Sequence, residues 1–146
     1  MRALVIVAGT VVAALALATP SMSSNAAERA TVTVHSSKFG RILFDGHGFA
    51  LYAFTRDRAG RSACTGACAR AWPQYVVKTR PKAGTGVTAS LLGTIRRANG
   101  SRQVTYAGKP LYYYVGDRQP LQVLCQNVLE FGGLWLVVRP TGATVR

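Results

Sequence analysis

One heptapeptide constrains the fold more than any other stretch. Leu51-Tyr52-Ala53-Phe54-Thr55-Arg56-Asp57 returns sixty residues later as Leu111-Tyr112-Tyr113-Tyr114-Val115-Gly116-Asp117, so Leu51, Tyr52, Phe54 and Asp57 have counterparts in Leu111, Tyr112, Tyr114 and Asp117. Side chains two apart on an extended chain share a face. Tyr52 and Phe54 therefore put rings on one side, and Leu51 and Ala53 put apolar groups on the other. This predicts a buried aromatic strand closed by an aspartate that hydrogen-bonds the backbone of the following turn. A ligand-contacting aromatic stripe is the sharper alternative, but rings in strands generally serve packing.

The flanking segments repeat as well. Val32 and Val34 alternate with polar residues in Thr31 to His35, Ser36 to Gly40 turns the chain, and Arg41 to Asp45 leads through Gly46-His47-Gly48 into the first heptapeptide. That order predicts a hairpin plus a third strand, with the two glycines permitting positive φ. In the second half a helical turn capped by Thr88 precedes Thr94 to Arg97, Asn99-Gly100 signals a hairpin, and Arg102 to Tyr106 returns toward the second heptapeptide. Trp72 is followed by Val76-Val77-Lys78 and Trp135 by Val137-Val138-Arg139, so each half is expected to end on a core tryptophan and a closing strand. Gly84-Thr85-Gly86 reads as the joint, since it lacks the preceding strand and third glycine of a phosphate-binding turn. The expectation is an all-β chain. Two tandem β repeats, about 31–83 and 87–140, pack as one small sandwich or barrel-like domain over 28–146, with short helical turns, because either half alone would leave its apolar face wet.

These motifs resemble those of a bacterial family of secreted repeats of unknown function, predicted lipoproteins with a Y-x-(F/W/Y)-x-x-D motif. The two copies are Tyr52-Phe54-Asp57 and Tyr112-Tyr114-Asp117; Cys64-Thr65-Gly66-Ala67-Cys68 with Trp72-Pro73, Ser90-Leu91-Leu92-Gly93, Gln103-Val104-Thr105-Tyr106 and Phe131-Gly132-Gly133 with Trp135 are also similar. The resemblance implies an extracytoplasmic protein of paired repeats and brings no reaction or cofactor with it. Two features depart from the pattern. There is no anchoring cysteine near the start, and the loop after Asp117 carries apolar Leu121, Val123, Leu124, Val128 and Leu129 where relatives are Gly-rich and polar.

Met1-Arg2 followed by the apolar run Ala3 to Ala18 and small polar residues predicts a secretory signal peptide within residues 1–27. The run is short for a bilayer span and lacks a basic stop-transfer flank. Eighteen Lys and Arg against five Asp and Glu make the chain a polycation at +13, and a cleaved leader would remove only Arg2 from that basic set. For a secreted chain the expected partners are anionic envelope polymers or lipid head groups rather than nucleic acid, through salt-sensitive contacts.

Three cysteines in an oxidising compartment suggest one bond and one thiol. Cys64 and Cys68 form the expected disulfide, a local staple contributing about 2 kcal/mol; pairing either with Cys125 would close a far longer loop, worth about 4 kcal/mol. The alternative is a copper or thiol-redox site on Cys64 and Cys68 with His47 or His35 as a further ligand. The acids are scattered, and hydrolase and nucleotide motifs are missing, so no enzyme is expected.

Overall fold

The computed structural model describes residues 31–146; the expected signal peptide lies outside the described residues. Eight short strands dominate: β1 Val32–Ser37, β2 Gly40–Asp45, β3 Tyr52–Phe54, β4 Leu92–Arg96, β5 Arg102–Tyr106, β6 Lys109–Pro110, β7 Val128–Glu130 and β8 Gly133–Val137. One helix, α1 Ala67–Ala71, and one 3-10 turn, Ala89–Leu91, accompany them. The strands form three small antiparallel sheets, ordered β1-β2, β3-β8-β7 and β4-β5-β6, that do not close a barrel. The all-β expectation holds.

The expected meander holds only in part. Residues 49–51 return along β2, with the Asp45 N–H donating to the Phe49 carbonyl at 2.8 Å and the Leu51 N–H to the Leu43 carbonyl at 3.2 Å, but β3 itself pairs with β8, placing Tyr52 opposite Val137, Ala53 opposite Leu136 and Phe54 opposite Trp135. The second copy mirrors this arrangement. Tyr112 bridges Gln74, the Tyr113 N–H donates to the Pro73 carbonyl at 2.8 Å, and the Val115 N–H donates to the Ala71 carbonyl at 3.2 Å. Each heptapeptide is thus completed by the tryptophan segment of the other half. The second heptapeptide was expected as a strand, but only isolated pairing forms there, because Pro73 stands where the first copy has Leu136 and has no N–H to give the ladder.

The same asymmetry corrects the closing strands. Trp135 sits inside β8, whereas Trp72 follows α1, and Val76 is 47 % exposed with one bridge to Gln103. Tyr75 takes the buried place that the apolar pattern suggested for the valines. Its carbonyl accepts from the Val104 N–H at 2.8 Å, as the Val138 carbonyl accepts from Leu43 at 2.9 Å. Two further details differ. Thr88 precedes the 3-10 turn without a side-chain cap, and of Gly46 and Gly48 only Gly48 has positive φ, at 90°.

The heptapeptide's two-faced pattern appears directly in the core. Ile42, Phe44, Tyr52, Phe54, Trp72, Tyr112 and Trp135 share one cluster, while Leu43, Leu51, Ala53, Tyr75, Val104 and Leu111 share the other. Strands buried on both faces need apolar residues at successive positions, and Leu51-Tyr52-Ala53-Phe54 supplies them.

Candidate functional site

Where the two heptapeptides meet, Tyr52 and Tyr112 form a reciprocal backbone pair. Each N–H donates to the other's carbonyl at 2.9 Å. This is the hydrogen-bonded pair of an antiparallel ladder, and exchanging the halves maps each of its bonds onto the other. The side chains follow the same exchange. The Tyr52 hydroxyl donates to Asp117 Oδ2 at 2.6 Å, and the Tyr112 hydroxyl donates to Asp57 Oδ2 at 2.7 Å. The leading tyrosine of each motif, Tyr52 or Tyr112, is held by the aspartate of the opposite motif.

The second carboxylate oxygen does the expected turn work over a longer reach. Asp57 Oδ1 accepts from the Ala63 N–H at 2.7 Å, and Asp117 Oδ1 accepts from the Leu124 N–H at 2.9 Å. Each donor immediately precedes a cysteine, Cys64 or Cys125, which makes those two residues counterparts. Cys64 is bonded to Cys68, at a Cα–Cα distance of 5.3 Å, and Cys125 remains a buried thiol because its half contains no second cysteine. Burial pushes the Cys125 thiol up.

Four rings run through the centre in the order Phe54, Trp135, Trp72, Tyr114, the first three stacked and Tyr114 tilted 36° from Trp72. Their centroid separations are 4.2, 4.0 and 4.8 Å, and the two indoles are 3° from parallel. Tyr52 meets Trp72 edge-on at 5.2 Å and Tyr112 meets Trp135 edge-on at 5.1 Å. Aromatic pairs in these geometries contribute about 0.5–1.5 kcal/mol each beyond burial. Gly133 is part of the arrangement. A Cβ there would stand 2.7 Å from the Phe54 ring and 2.8 Å from Arg56 Cγ, so only glycine lets the strand approach the stack.

The two indoles at the middle of the stack are not equivalent. Trp72 Nε1 donates to Glu130 Oε2 at 2.8 Å, whereas Trp135 Nε1 is buried without a partner. Around Asp57 the network extends further: the Tyr112 oxygen also lies 2.6 Å from Ser62 Oγ, and Arg97 donates to Gln103 Oε1 at 2.8 Å and to the Cys64 carbonyl at 2.7 Å. Ser62, Arg97 and Glu130 escaped sequence reasoning because they join residues 33 to 58 positions apart without a repeated pattern. The crossed pairs had a visible signal, namely the recurrence of Tyr and Asp at one spacing.

Burial raises the Tyr52 and Tyr112 hydroxyls above the ordinary phenol range, with the neighbouring carboxylate adding to the shift. Both remain proton donors at neutral pH. Burial also raises Asp57 and Asp117, outweighing the hydrogen bonds that favour their ionised forms. Asp45 is buried like Asp117, accepting from the His47 and Phe49 N–H groups at 2.8 Å each and from the Tyr113 hydroxyl at 2.9 Å. His47 itself is exposed, with Nδ1 3.6 Å from Asp45 Oδ2, and among the described residues no three His, Cys, Asp or Glu side chains gather as a metal site.

Fold and clasp together define a class: an all-β protein of two interlocked repeats held by reciprocal tyrosine–aspartate pairs around stacked tryptophans. The chain belongs to the family described as secreted repeat of unknown function, which matches it twice, over residues 33–75 and 93–139. Those two blocks carry both motifs, both tryptophans and every ring of the stack. The family description makes this an exported protein. No curated protein and no solved structure matches the chain.

Proposed function

We propose that the chain is a non-enzymatic binding protein of the cell envelope or extracellular space, which holds an anionic polymer or lipid head group on a cationic surface. The observation that carries this reading is the unequal placement of its charges. Residues 31–146 carry sixteen Lys and Arg but four Asp and Glu. Asp45, Asp57 and Asp117 are drawn inward to hydrogen-bond tyrosines, and the exposed Glu130 is tied to Trp72 Nε1. Carboxylates that would ordinarily neutralise a basic surface are thereby used to hold the interior, so the outward field is strongly positive. The non-enzymatic part rests on the same fact. Both motif carboxylates commit both oxygens to structural partners, which leaves them poorly placed to exchange protons with a substrate.

Retention of the mature protein on anionic vesicles, polyphosphate resin and an acidic polysaccharide resin tests this reading. Binding at 0.15 M salt and release by 1 M salt are expected, because the Debye length contracts from about 8 Å to about 3 Å. Passage through all three matrices at 0.15 M salt would refute it.

A further inference from the structure

The hairpin β4–β5 contains a local conflict. Arg96 and Arg102 stand directly opposite each other at its tip, and Arg97 follows at once. Like charges facing across an antiparallel pair destabilise it. Two clefts flank this point. One, of about 340 Å³, is lined by Arg61, Ser62, Thr65, Arg96 and Arg97; the other, of about 470 Å³, is lined by Val77, Lys78, Arg96, Ser101 and Arg102. Arg96 belongs to both.

We propose that these clefts form one continuous site for a linear phosphate polymer that crosses the hairpin tip with Arg96 at its centre. The inference rests on the cationic-surface reading above and names the place and the chemistry of the bound chain. Three observations support it. Arg97 is half-buried and its guanidinium is oriented by two neutral oxygens, Gln103 Oε1 and the Cys64 carbonyl, so its position is fixed by uncharged partners, with the Asp57 carboxylate near enough to feel its charge. The Ser101 hydroxyl lining the second cleft is buried and has no hydrogen-bond partner, a donor that an oxyanion would satisfy. The facing Arg96 and Arg102 would be relieved by negative charge laid between them. Guanidinium groups meet phosphate oxygens through paired donors, and a chain with an anion at every repeat places one on each side of Arg96.

The test is binding of long-chain polyphosphate to the mature protein at 0.15 M salt, compared with R96Q, with R118Q as an equal loss of charge outside both clefts, and with polygalacturonate as a carboxylate polymer. The expected result is at least a tenfold weaker affinity in R96Q, less than threefold in R118Q, and weaker binding of the carboxylate polymer to wild type. R96Q should also raise the melting temperature of the unliganded protein, which distinguishes a relieved charge conflict from a damaged fold. Equal losses in R96Q and R118Q, or equal affinity for the two polymers, would overturn the site while leaving the cationic-surface reading intact. Failure of the wild type to bind polyphosphate while still binding anionic vesicles would also overturn it. Failure on every anionic matrix would remove both.

Discussion

Replacing Tyr52 by Phe removes one hydroxyl and leaves the rings of the stack in place. Asp117 Oδ2 then loses a 2.6 Å donor in a buried position, while Asp117 Oδ1 keeps the Leu124 N–H. A hydrogen bond to a charged group contributes about 1.5–3 kcal/mol, and the stranded carboxylate oxygen places the loss toward the upper end. For a domain of this size about 2.5 kcal/mol corresponds to a fall of roughly 10 °C in melting temperature. The decisive measurement is a pair of double-mutant cycles, read as urea midpoints from the fluorescence of Trp72 and Trp135. Tyr52→Phe with Asp117→Asn should give a coupling energy of about 1.5 kcal/mol or more, because one bond is counted in both single mutants. Tyr52→Phe with Asp57→Asn should give less than about 0.5 kcal/mol, although these two residues lie in the same sequence motif. If the larger coupling falls within a motif, or both are near zero, the crossed clasp does not hold the halves together.

Three further outcomes follow from the same geometry. Asp57 and Asp117 are raised above their ordinary value of 3.8, so the folded state binds their protons more tightly than the unfolded state; their contribution to stability is greatest below that value and declines as pH rises through the folded pKa. The difference in urea stability between wild type and the Asp57→Asn, Asp117→Asn double variant, followed from pH 3 to 7, should move against wild type as pH rises, and a change in the opposite direction would reverse the assigned cause. Trp72→Phe should cost about 1 kcal/mol more than Trp135→Phe, since the first removes a hydrogen bond to Glu130 and the second deletes an N–H that has no partner; equal midpoints in denaturation would count against that assignment. Intact mass without reductant should fall two hydrogens below the fully reduced value with no copper retained, Cys64→Ser with Cys68→Ser should lower stability by about 2 kcal/mol, and the buried Cys125 should resist thiol reagents until the protein unfolds.

Much of this architecture is legible in the primary structure because its signals are local. Alternation around Tyr52 and Phe54 marks a strand buried on both faces, the spacing of Cys64 and Cys68 permits a ring within one turn, and the recurrence of Tyr, aromatic and Asp exposes the duplication. Two tryptophans at matching places after the motifs mark core positions. The polycationic character also needs no structure to be seen.

Which half completes which is a different kind of fact. A strand's pattern specifies that its faces must be covered, but not by which neighbour, and the hydrophobic effect is indifferent to the source of apolar area. The chain alone therefore pointed to the two β units and their paired rings, and favoured the local cystine that the structure forms. Tertiary packing decided that each heptapeptide is covered by its sibling's tryptophan segment, that Pro73 stops one ladder, and that Arg96 meets Arg102 across a hairpin tip. Those outcomes depend on distances between residues far apart in the chain, which only the closed three-dimensional arrangement sets.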